Sequence, residues 1–259
     1  MRSWSAVPSP TADEVPPNDP YYKAALAKVH HEGFGFHADA CAPGILAHLA
    51  PILERGGLVV EVGCGSGLLT KHLVDAGHRV IATDASPAML DIARTYAPDA
   101  LEHRVVALPD DPLPEADAIV STGHALSYID TQERLEAALV SCARALRPGG
   151  VLALDLEDLS THDAQMARPP AAWVGDSWAM FMERVSDGPS HFARSMTTFM
   201  REEDGRYRRE HERHDNVLID VLGVVPPLLE AEGLEVEVGL RFGDETNMEG
   251  LMVVVAARP

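Results

Sequence analysis

The segment LVVEVGCGSGLLTKHL, residues 58–73, joins an apolar run, a loop with three glycines and an amphipathic run. The β-branched residues of 58–62 predict a short buried strand, and the periodicity after Gly67 predicts a helix to about Ala76. A glycine loop between a buried strand and a helix N-terminus presents bare N–H groups and the positive end of the helix dipole. The segment therefore predicts a ligand site at the carboxyl end of a strand.

Predicted strands and helices alternate through residue 157. Apolar runs predict four further strands, at 78–84, 103–108, 116–122 and 151–157. Ser86 and Pro87 have the residue types of a helix N-cap and a first helical position. Almost unbroken apolar strands that alternate with helices indicate a parallel sheet covered on both faces, as in Rossmann-like doubly wound α/β proteins.

The pattern changes after Glu157. Three segments there alternate polar and apolar residues, which is typical of antiparallel strands, and residues 203–205 (Glu-Asp-Gly) have the composition of a hairpin turn. The doubly wound pattern then resumes with a helix at 220–233 and two strands. Because proline disrupts a helix interior, we expect Pro226 and Pro227 to begin or kink that helix.

These changes divide the chain into a leader, a main domain and an insertion. Residues 1–20 are rich in proline and predict a disordered leader. Residues 21–157 and 217–259 form the predicted main domain, which starts with a helical cap of two helices joined by a glycine kink. Residues 158–216 form a predicted antiparallel lid after the fifth strand.

Composition narrows the function classes. The 259 residues include 40 acidic and 21 basic ones, for a net charge of −19, which disfavours nucleic acid and anionic membrane surfaces as partners. Three scattered cysteines are too few for a disulfide framework or a zinc cage, in keeping with a reducing cytoplasm. No stretch approaches eighteen uninterrupted apolar residues.

Two carboxylates narrow the choice of ligand. The glycines follow the spacing G-x-G-x-G at 63–67, whereas dinucleotide oxidoreductases use G-x-G-x-x-G. Glu61 precedes the loop, where it would repel a pyrophosphate and attract an ammonium group. Asp84 ends the second strand, where an acid binds ribose hydroxyls, but both ligand classes contain a ribose. The pattern favours a nucleoside that bears an amino acid, with a nicotinamide-dependent oxidoreductase as the alternative.

Four ordered motifs carry a family resemblance. They are VVEVGCGSG (59–67), VIATDASPAML (80–90), ADAIVSTGHALSYI (116–129) and ALRPGGVLAL (145–154). In order and spacing they resemble class I S-adenosylmethionine-dependent methyltransferases. The resemblance implies a seven-stranded sheet with the last strand antiparallel, and S-adenosylmethionine over the ends of the first, second and fourth strands.

The resemblance also implies cofactor contacts. It places Glu61 near the methionine amino group, Gly63, Cys64 and Gly65 along the methionine and ribose, and Asp84 on the ribose hydroxyls.

The adenine contacts are less regular. The family pattern places Ala85 and Met89 at the border of the adenine. Many members have an acidic residue after the third strand for the adenine amine, but this chain reads VVALPDDP there. Leu108 holds that position, so we expect main-chain contacts from Leu108 and give Asp110 little weight.

The end of the fourth strand faces the transferred methyl group in this family. Ser121, Thr122 and Gly123 are expected to line its path. His124 follows them and is the leading candidate for a general base, since its ordinary pKa near ~6.5 suits proton transfer. The alternative is that His124 only shapes the wall of the pocket.

The start of the main domain offers further candidates. Related small-molecule enzymes fold this segment over the cofactor, so we expect Tyr21 to contact the cofactor and Tyr22 to act at the catalytic centre; the alternative is that both anchor a helix. Phe34 lies with His30 and His31 in the segment HHEGFGFH, whose glycines suggest close backbone approach to the cofactor or to a neighbouring helix.

A metal site is not expected. If His211 and His214 belong to a strand, their i, i+3 spacing directs them to opposite faces, where they cannot chelate one ion. The fourth strand ends in Ser-Thr-Gly rather than in an aspartate that would bind magnesium.

The sequence therefore predicts a cytoplasmic methyltransferase that uses S-adenosylmethionine. The lid and the resemblance to bacterial tailoring enzymes of natural-product biosynthesis favour a nitrogen or oxygen of a small metabolite as the acceptor. Such lids often pack on a partner subunit, so a homo-oligomer is compatible with the sequence. Alternatives are a non-catalytic binder of S-adenosylmethionine, another transfer or a cyclisation at the sulfonium, and a nicotinamide-dependent oxidoreductase.

Overall fold

A seven-stranded mixed sheet forms the centre of the protein. The computed structural model describes residues 21–186, 188–245 and 250–259, so the predicted leader lies outside the described residues. The strand order is β3-β2-β1-β4-β5-β11-β10. The strands are β1 (Leu58–Val62), β2 (Arg79–Asp84), β3 (Glu102–Val105), β4 (Ala116–Ser121), β5 (Leu146–Glu157), β10 (Glu235–Gly239) and β11 (Leu251–Ala257).

Strand direction follows the predicted pattern. Strands β1 to β5 pair in parallel, and β11 runs antiparallel to both β5 and β10. Parallel strands must be covered on both faces, and the interior strand β1 is indeed buried from Val59 to Val62. The doubly wound fold with an antiparallel last strand is confirmed.

Helices cover both faces of this sheet. They are α1 (Ala24–Gly33), α2 (Phe36–His48), α3 (Ala50–Glu54), α4 (Leu68–Asp75), α5 (Pro87–Tyr96), α6 (Gln132–Ala145), α7 (His162–Ala167) and α8 (Val221–Ala231). The predicted N-cap is confirmed, since the Ser86 hydroxyl accepts a hydrogen bond from the Met89 N–H at 3.2 Å. The helices bury their apolar faces in two clusters, one on each side of the sheet. None of the described helices is long and apolar enough to cross a membrane.

A separate four-stranded antiparallel sheet is inserted after β5. Its strands are β6 (Ala171–Val174), β7 (Trp178–Ser186), β8 (His191–Arg201) and β9 (Tyr207–Val217), in that order across the sheet. The predicted hairpin turn joins β8 to β9. We call β6–β9 the inserted sheet. Its apolar face packs against α1, where Trp178 donates a hydrogen bond to Glu32 at 2.8 Å.

Three local predictions were wrong. Pro226 and Pro227 lie inside α8 rather than at its start, because the burial of Val221, Val225 and Leu229 along one face outweighs two missing N–H donors. Strand β3 ends at Val105 rather than at residue 108. The insertion also contains α7 and β6, which are too short to leave a clear periodic signal.

Candidate active site

The glycine loop after β1 is held in a shape that side chains would prevent. Gly63 has φ +67°, and a Cβ on it would lie 2.3 Å from the Ala125 Cβ. The loop is also tied to the next strand, since the Cys64 N–H donates to the Thr83 carbonyl at 2.8 Å. Burial raises the pKa of the Cys64 thiol well above 9, so it remains protonated. The loop thus presents backbone and a neutral thiol to a ligand.

Glu61 is a buried acid beside this loop. Its side chain is 2% exposed and accepts one hydrogen bond, from the Thr70 hydroxyl at 2.6 Å. Burial raises its pKa from 4.5 to about 8, although the Thr70 bond acts in the opposite direction. A buried carboxylate with one neutral partner is incompletely compensated, and a cationic ammonium group would complete it.

Asp84 stands at the end of the neighbouring strand. One carboxylate oxygen accepts from the Gly65 N–H at 2.8 Å and the other from the Ser86 N–H at 2.7 Å. These bonds fix the plane of the carboxylate and leave further lone pairs for a ligand's hydroxyl groups. Burial raises the pKa of Asp84, and the two N–H groups oppose that shift. Oriented in this way, Asp84 suits the two hydroxyls of a ribose.

Most predicted site residues line one cavity of about 980 Å³. It extends from the glycine loop to the inserted sheet. Its lining includes the following predicted residues: Tyr21, Tyr22, Phe34, Glu61, Gly63, Cys64, Gly65, Asp84, Ala85, Met89, Leu108, Thr122, Gly123 and His124.

Two residues considered at the sequence level lie elsewhere. Ser121 is buried at the end of β4 and is not part of the cavity lining. Asp110 is directed to solvent, where Arg134 lowers its pKa by forming an ion pair. The cavity side of the loop after β3 is instead formed by Val106, Ala107 and Leu108.

The segment before α1 joins the two sheets over the cavity. The Tyr22 N–H donates to His214 of β9 at 3.3 Å, and the Tyr22 carbonyl accepts from the Ser86 hydroxyl at 2.9 Å. The hydroxyls of Tyr22 and Tyr128 are 2.8 Å apart, and burial raises the pKa of Tyr22 well above 10. Tyr21 stacks on His214 with ring centroids 4.5 Å apart.

Residues of α1 and the turn after it close another side of the cavity. His31 lies 2.9 Å from the Ser66 hydroxyl of the glycine loop. Phe34 packs edge-on against Trp173 of the inserted sheet. Burial lowers the pKa of His30 to about 4, so this cavity-lining imidazole is neutral. The segment therefore contacts both the glycine loop and the inserted sheet.

His124 is one of the residues that line the cavity. Its backbone is left-handed, with φ +51°, and its side chain is nearly buried. Nε2 lies 3.8 Å from a Glu157 oxygen, while Nδ1 is buried without a hydrogen-bond partner among the described residues. Burial, assisted by the positive charge of Arg194, lowers its pKa well below 6.5. The imidazole is thus neutral at neutral pH.

Two polar residues that support His124 were missed at the sequence level. Asp155 of β5 accepts the N–H groups of Gly123 at 3.0 Å and His124 at 2.6 Å, and also contacts Nε2 of His37 at 2.8 Å. The signal in the sequence that could have identified Asp155 is an acidic residue within an otherwise apolar strand. Ligand atoms of His37, Cys41 and Asp155 lie within 4.8 Å of one another, a spacing that a metal ion also uses. Burial raises the pKa of the Cys41 thiol to about 12, which disfavours the thiolate that metals bind.

The two histidines considered for metal binding both lie on the strand β9. His211 contacts the Thr197 hydroxyl at 3.0 Å, and His214 contacts Glu212 at 3.0 Å. His211 and His214 are three positions apart in a strand and therefore point to opposite faces.

Comparison with known proteins agrees with this geometry. Residues 59–150 match the family model of a methyltransferase domain. The ubiquinone biosynthesis O-methyltransferase of Cereibacter sphaeroides is 27% identical over 134 residues, 48% of this chain and 51% of that protein. The corresponding protein of Xanthomonas oryzae is 32% identical over 128 residues, 46% of this chain and 47% of that protein. The chain thus spans about half the length of these curated relatives.

Solved structures match nearly the whole chain at low identity. DesVI of Streptomyces venezuelae has a TM-score of 0.74 and 23% identity, covering 92% of this chain and 100% of that one. The sugar N-methyltransferase KedS8 of a Streptoalloteichus species has a TM-score of 0.74 and 20% identity, covering 99% of both chains. At these identities the comparison shows a shared fold.

The strand order and the glycine loop are those of the fold shared with S-adenosylmethionine-dependent methyltransferases. The chain carries a methyltransferase domain over residues 59–150. The predicted resemblance and the predicted fold are confirmed, and solved structures that share this fold belong to proteins that use S-adenosylmethionine.

The titration of Glu61 gives a testable consequence. With a pKa of about 8 in the ligand-free protein, Glu61 is mostly protonated at pH 7, and it must ionise to pair with an ammonium group. We expect S-adenosylhomocysteine binding to release a proton at pH 7, and its affinity to rise as pH increases toward 8. Calorimetry in buffers of different ionisation enthalpy measures this proton.

The variant Glu61→Gln tests whether Glu61 is the source of this proton. We expect it to abolish the proton release and to lower the affinity for S-adenosylhomocysteine about 10–100-fold, the equivalent of a charge-assisted hydrogen bond of roughly 1.5–3 kcal/mol. Glu54→Gln, an exposed acid at the end of α3, is the matched control and is expected to behave as wild type. Proton release that persists in Glu61→Gln would assign it to another group.

Proposed function

We propose that the protein transfers the methyl group of S-adenosylmethionine to a nitrogen or oxygen of a small-molecule acceptor. The observation that carries the proposal is the continuity of one cavity. Its cofactor end contains the glycine loop, Glu61 and Asp84, and its other end lies beneath the inserted sheet. His124 lies between the two ends, where the donor and acceptor would meet.

The described residues fit this cofactor. An ionised Glu61 would be compensated by the ammonium group, Asp84 offers two fixed oxygens to the ribose, and Gly63 leaves no room for a side chain. When bound, S-adenosylmethionine supplies an electrophilic methyl group on a sulfonium. The remaining tasks of the protein are to align the acceptor with that methyl group and to exclude water.

The inserted sheet and the segment before α1 enclose the acceptor end. Met180, Met182 and Met196 form apolar lining there, and Tyr22 ties this sheet to the main domain through His214 and Ser86. We infer that this arrangement acts as a lid. A cavity covered on these sides suits a small metabolite better than a nucleic acid or a protein chain.

His124 is proposed to accept the acceptor's proton. A hydroxyl acceptor needs a base, and a protonated amine must lose a proton before it attacks. The neutral imidazole with an unpaired Nδ1 meets this requirement, and the negative charge of Asp155 favours the imidazolium that forms. Tyr22 is proposed to contact the acceptor or cofactor from the opposite side.

The named relatives support a small-molecule acceptor. They include a ubiquinone biosynthesis O-methyltransferase, a sugar N-methyltransferase and an amino pentose methyltransferase of Micromonospora echinaspora. For this chain we propose only the general class of acceptor, a small molecule. We also propose that the protein acts in natural-product biosynthesis in the cytoplasm.

Turnover with labelled cofactor tests the proposed activity. The protein is incubated with S-adenosylmethionine carrying a labelled methyl group and with panels of small amines and hydroxylated metabolites. We expect label in one acceptor class and an equal amount of S-adenosylhomocysteine. Methylthioadenosine as the product would support another transfer or a cyclisation, and binding without any product would support a non-catalytic role.

A further inference from the structure

Arginines line the acceptor end of the cavity in a protein whose net charge is −19. Arg184 of β7 and Arg194 of β8 are directly opposed across the two strands, so their side chains lie on the same face of the inserted sheet. Like charges at directly opposed positions destabilise a sheet unless an anion lies between or beside them. Whether each arginine has a counterion within the protein therefore decides whether it can bind an anion from outside.

Arg194 is compensated within the protein. Its guanidinium forms an ion pair with Glu157 and donates to the Tyr128 hydroxyl at 3.1 Å. The pKa of Arg194 is raised above its ordinary value by Glu157 and the neighbouring tyrosines, although burial opposes this shift. Arg194 is therefore a permanent cation whose counterion is already in place.

Arg213, the other arginine of the inserted sheet that lines the cavity, also has a counterion. It lies 2.9 Å from an Asp215 oxygen, and the Tyr21 hydroxyl accepts a hydrogen bond from the Asp215 N–H at 3.2 Å. This pair is part of the contact between β9 and the segment before α1.

Arg184 differs from both. Its Nε is buried and has no hydrogen-bond partner among the described residues. Burial lowers its pKa to about 10, and the nearby charges of Arg194 and Arg168 act in the same direction, while Glu157 acts against them. Glu157, however, is already paired with Arg194. A half-buried guanidinium that has no counterion of its own in the described part of the chain is costly.

We propose that Arg184 binds an anionic group, a phosphate or a carboxylate, on the methyl acceptor. This inference rests on the proposed function, because it requires the acceptor to occupy the cavity beneath the inserted sheet. The cavity then has two charged ends of opposite character. Glu61 and Asp84 receive the cofactor, and Arg184, with Arg194 beside it, orients the acceptor so that its reactive atom lies near His124.

The test uses the full chain saturated with S-adenosylhomocysteine and two anionic probes. Inorganic pyrophosphate and succinate are titrated separately at constant ionic strength set with sodium chloride. We expect saturable binding of at least one probe to wild type and about 10-fold or greater loss in Arg184→Met, as for a lost charge-assisted hydrogen bond. Arg184→Lys retains part of the affinity because it keeps the charge without the planar fork.

The probe that binds shows whether the anionic group of the acceptor is a phosphate or a carboxylate. Binding of pyrophosphate alone identifies a phosphate-bearing acceptor, and binding of succinate alone identifies a carboxylate-bearing one. Arg209→Met is the matched control, since Arg209 is an exposed arginine on β9 outside the cavity lining, and it is expected to bind as wild type does. Equal probe affinity in wild type and Arg184→Met, or no binding of either probe, would overturn the proposal.

A second readout needs no probe. Because Arg184 has no counterion of its own among the described residues, we expect Arg184→Met to raise the unfolding temperature of the ligand-free protein by about 2 °C or more, whereas Arg209→Met leaves it nearly unchanged. A lower unfolding temperature for Arg184→Met would contradict the absence of a counterion. Loss of S-adenosylhomocysteine binding in wild type would instead refute the proposed function, so the two failures are distinguishable.

Discussion

Replacing His124 with asparagine is expected to lower kcat about 10²–10⁴-fold, the range for loss of a general base. Asparagine tolerates the left-handed backbone at φ +51° better than other polar residues, so the loop is preserved. The affinity for S-adenosylhomocysteine is expected to stay within about threefold of wild type, because the proposed role concerns the acceptor's proton. Single-turnover kinetics with an identified acceptor measures the chemical step directly.

The pH dependence separates a base from a wall residue. Burial and Arg194 hold the pKa of His124 well below 6.5, so the imidazole remains unprotonated as pH falls through 6.5. We therefore expect kcat to fall on the acid side only well below pH 6.5, and this acid limb to disappear in His124→Asn. A variant that keeps wild-type kcat and the same acid limb would show that His124 only shapes the cavity.

Replacing Asp84 with asparagine is expected to weaken S-adenosylhomocysteine binding about 100-fold. The amide offers one acceptor oxygen instead of two, and its NH₂ group meets one of the N–H donors of Gly65 and Ser86. The loss of two charge-assisted hydrogen bonds to the ribose adds to this repulsion. Calorimetric titration measures the affinity.

Local distortion has to be separated from lost ribose contacts in this variant. Asp91→Asn removes an exposed acid on α5 that pairs with Arg94, and it is expected to bind as wild type does. Adenosine provides a second probe, because it contains the ribose of S-adenosylhomocysteine but lacks its amino-acid part. If Asp84→Asn binds adenosine as tightly as wild type does, the carboxylate does not bind the ribose.

Much of the fold follows from local patterns in the sequence. The run 58–73 contains its own strand, glycine turn and helix start, so neighbours in sequence determine the structure there. Glu61 and Asp84 were also predictable, because parallel strands β1 and β2 bring their carboxyl ends to the same edge of the sheet. The inserted antiparallel strands were visible as alternation of polar and apolar residues.

Contacts between distant segments were not predictable from these patterns. His37 and Asp155 meet across 118 positions of sequence, and Tyr22 meets His214 across 192. The opposition of Arg184 and Arg194 depends on the register between β7 and β8, which alternation alone does not determine. The prolines of α8 show the same limit, since tertiary burial of one helix face outweighed their local preference.

The central claim is that S-adenosylmethionine binds where the glycine loop, Glu61 and Asp84 meet. Titration of the purified protein with S-adenosylhomocysteine in a calorimeter, with NADH as the control ligand, tests it most directly. We expect micromolar binding of S-adenosylhomocysteine at one site per chain and no binding of NADH. Binding of NADH without binding of S-adenosylhomocysteine would contradict this placement of the cofactor and would leave the buried Glu61 without a cationic partner.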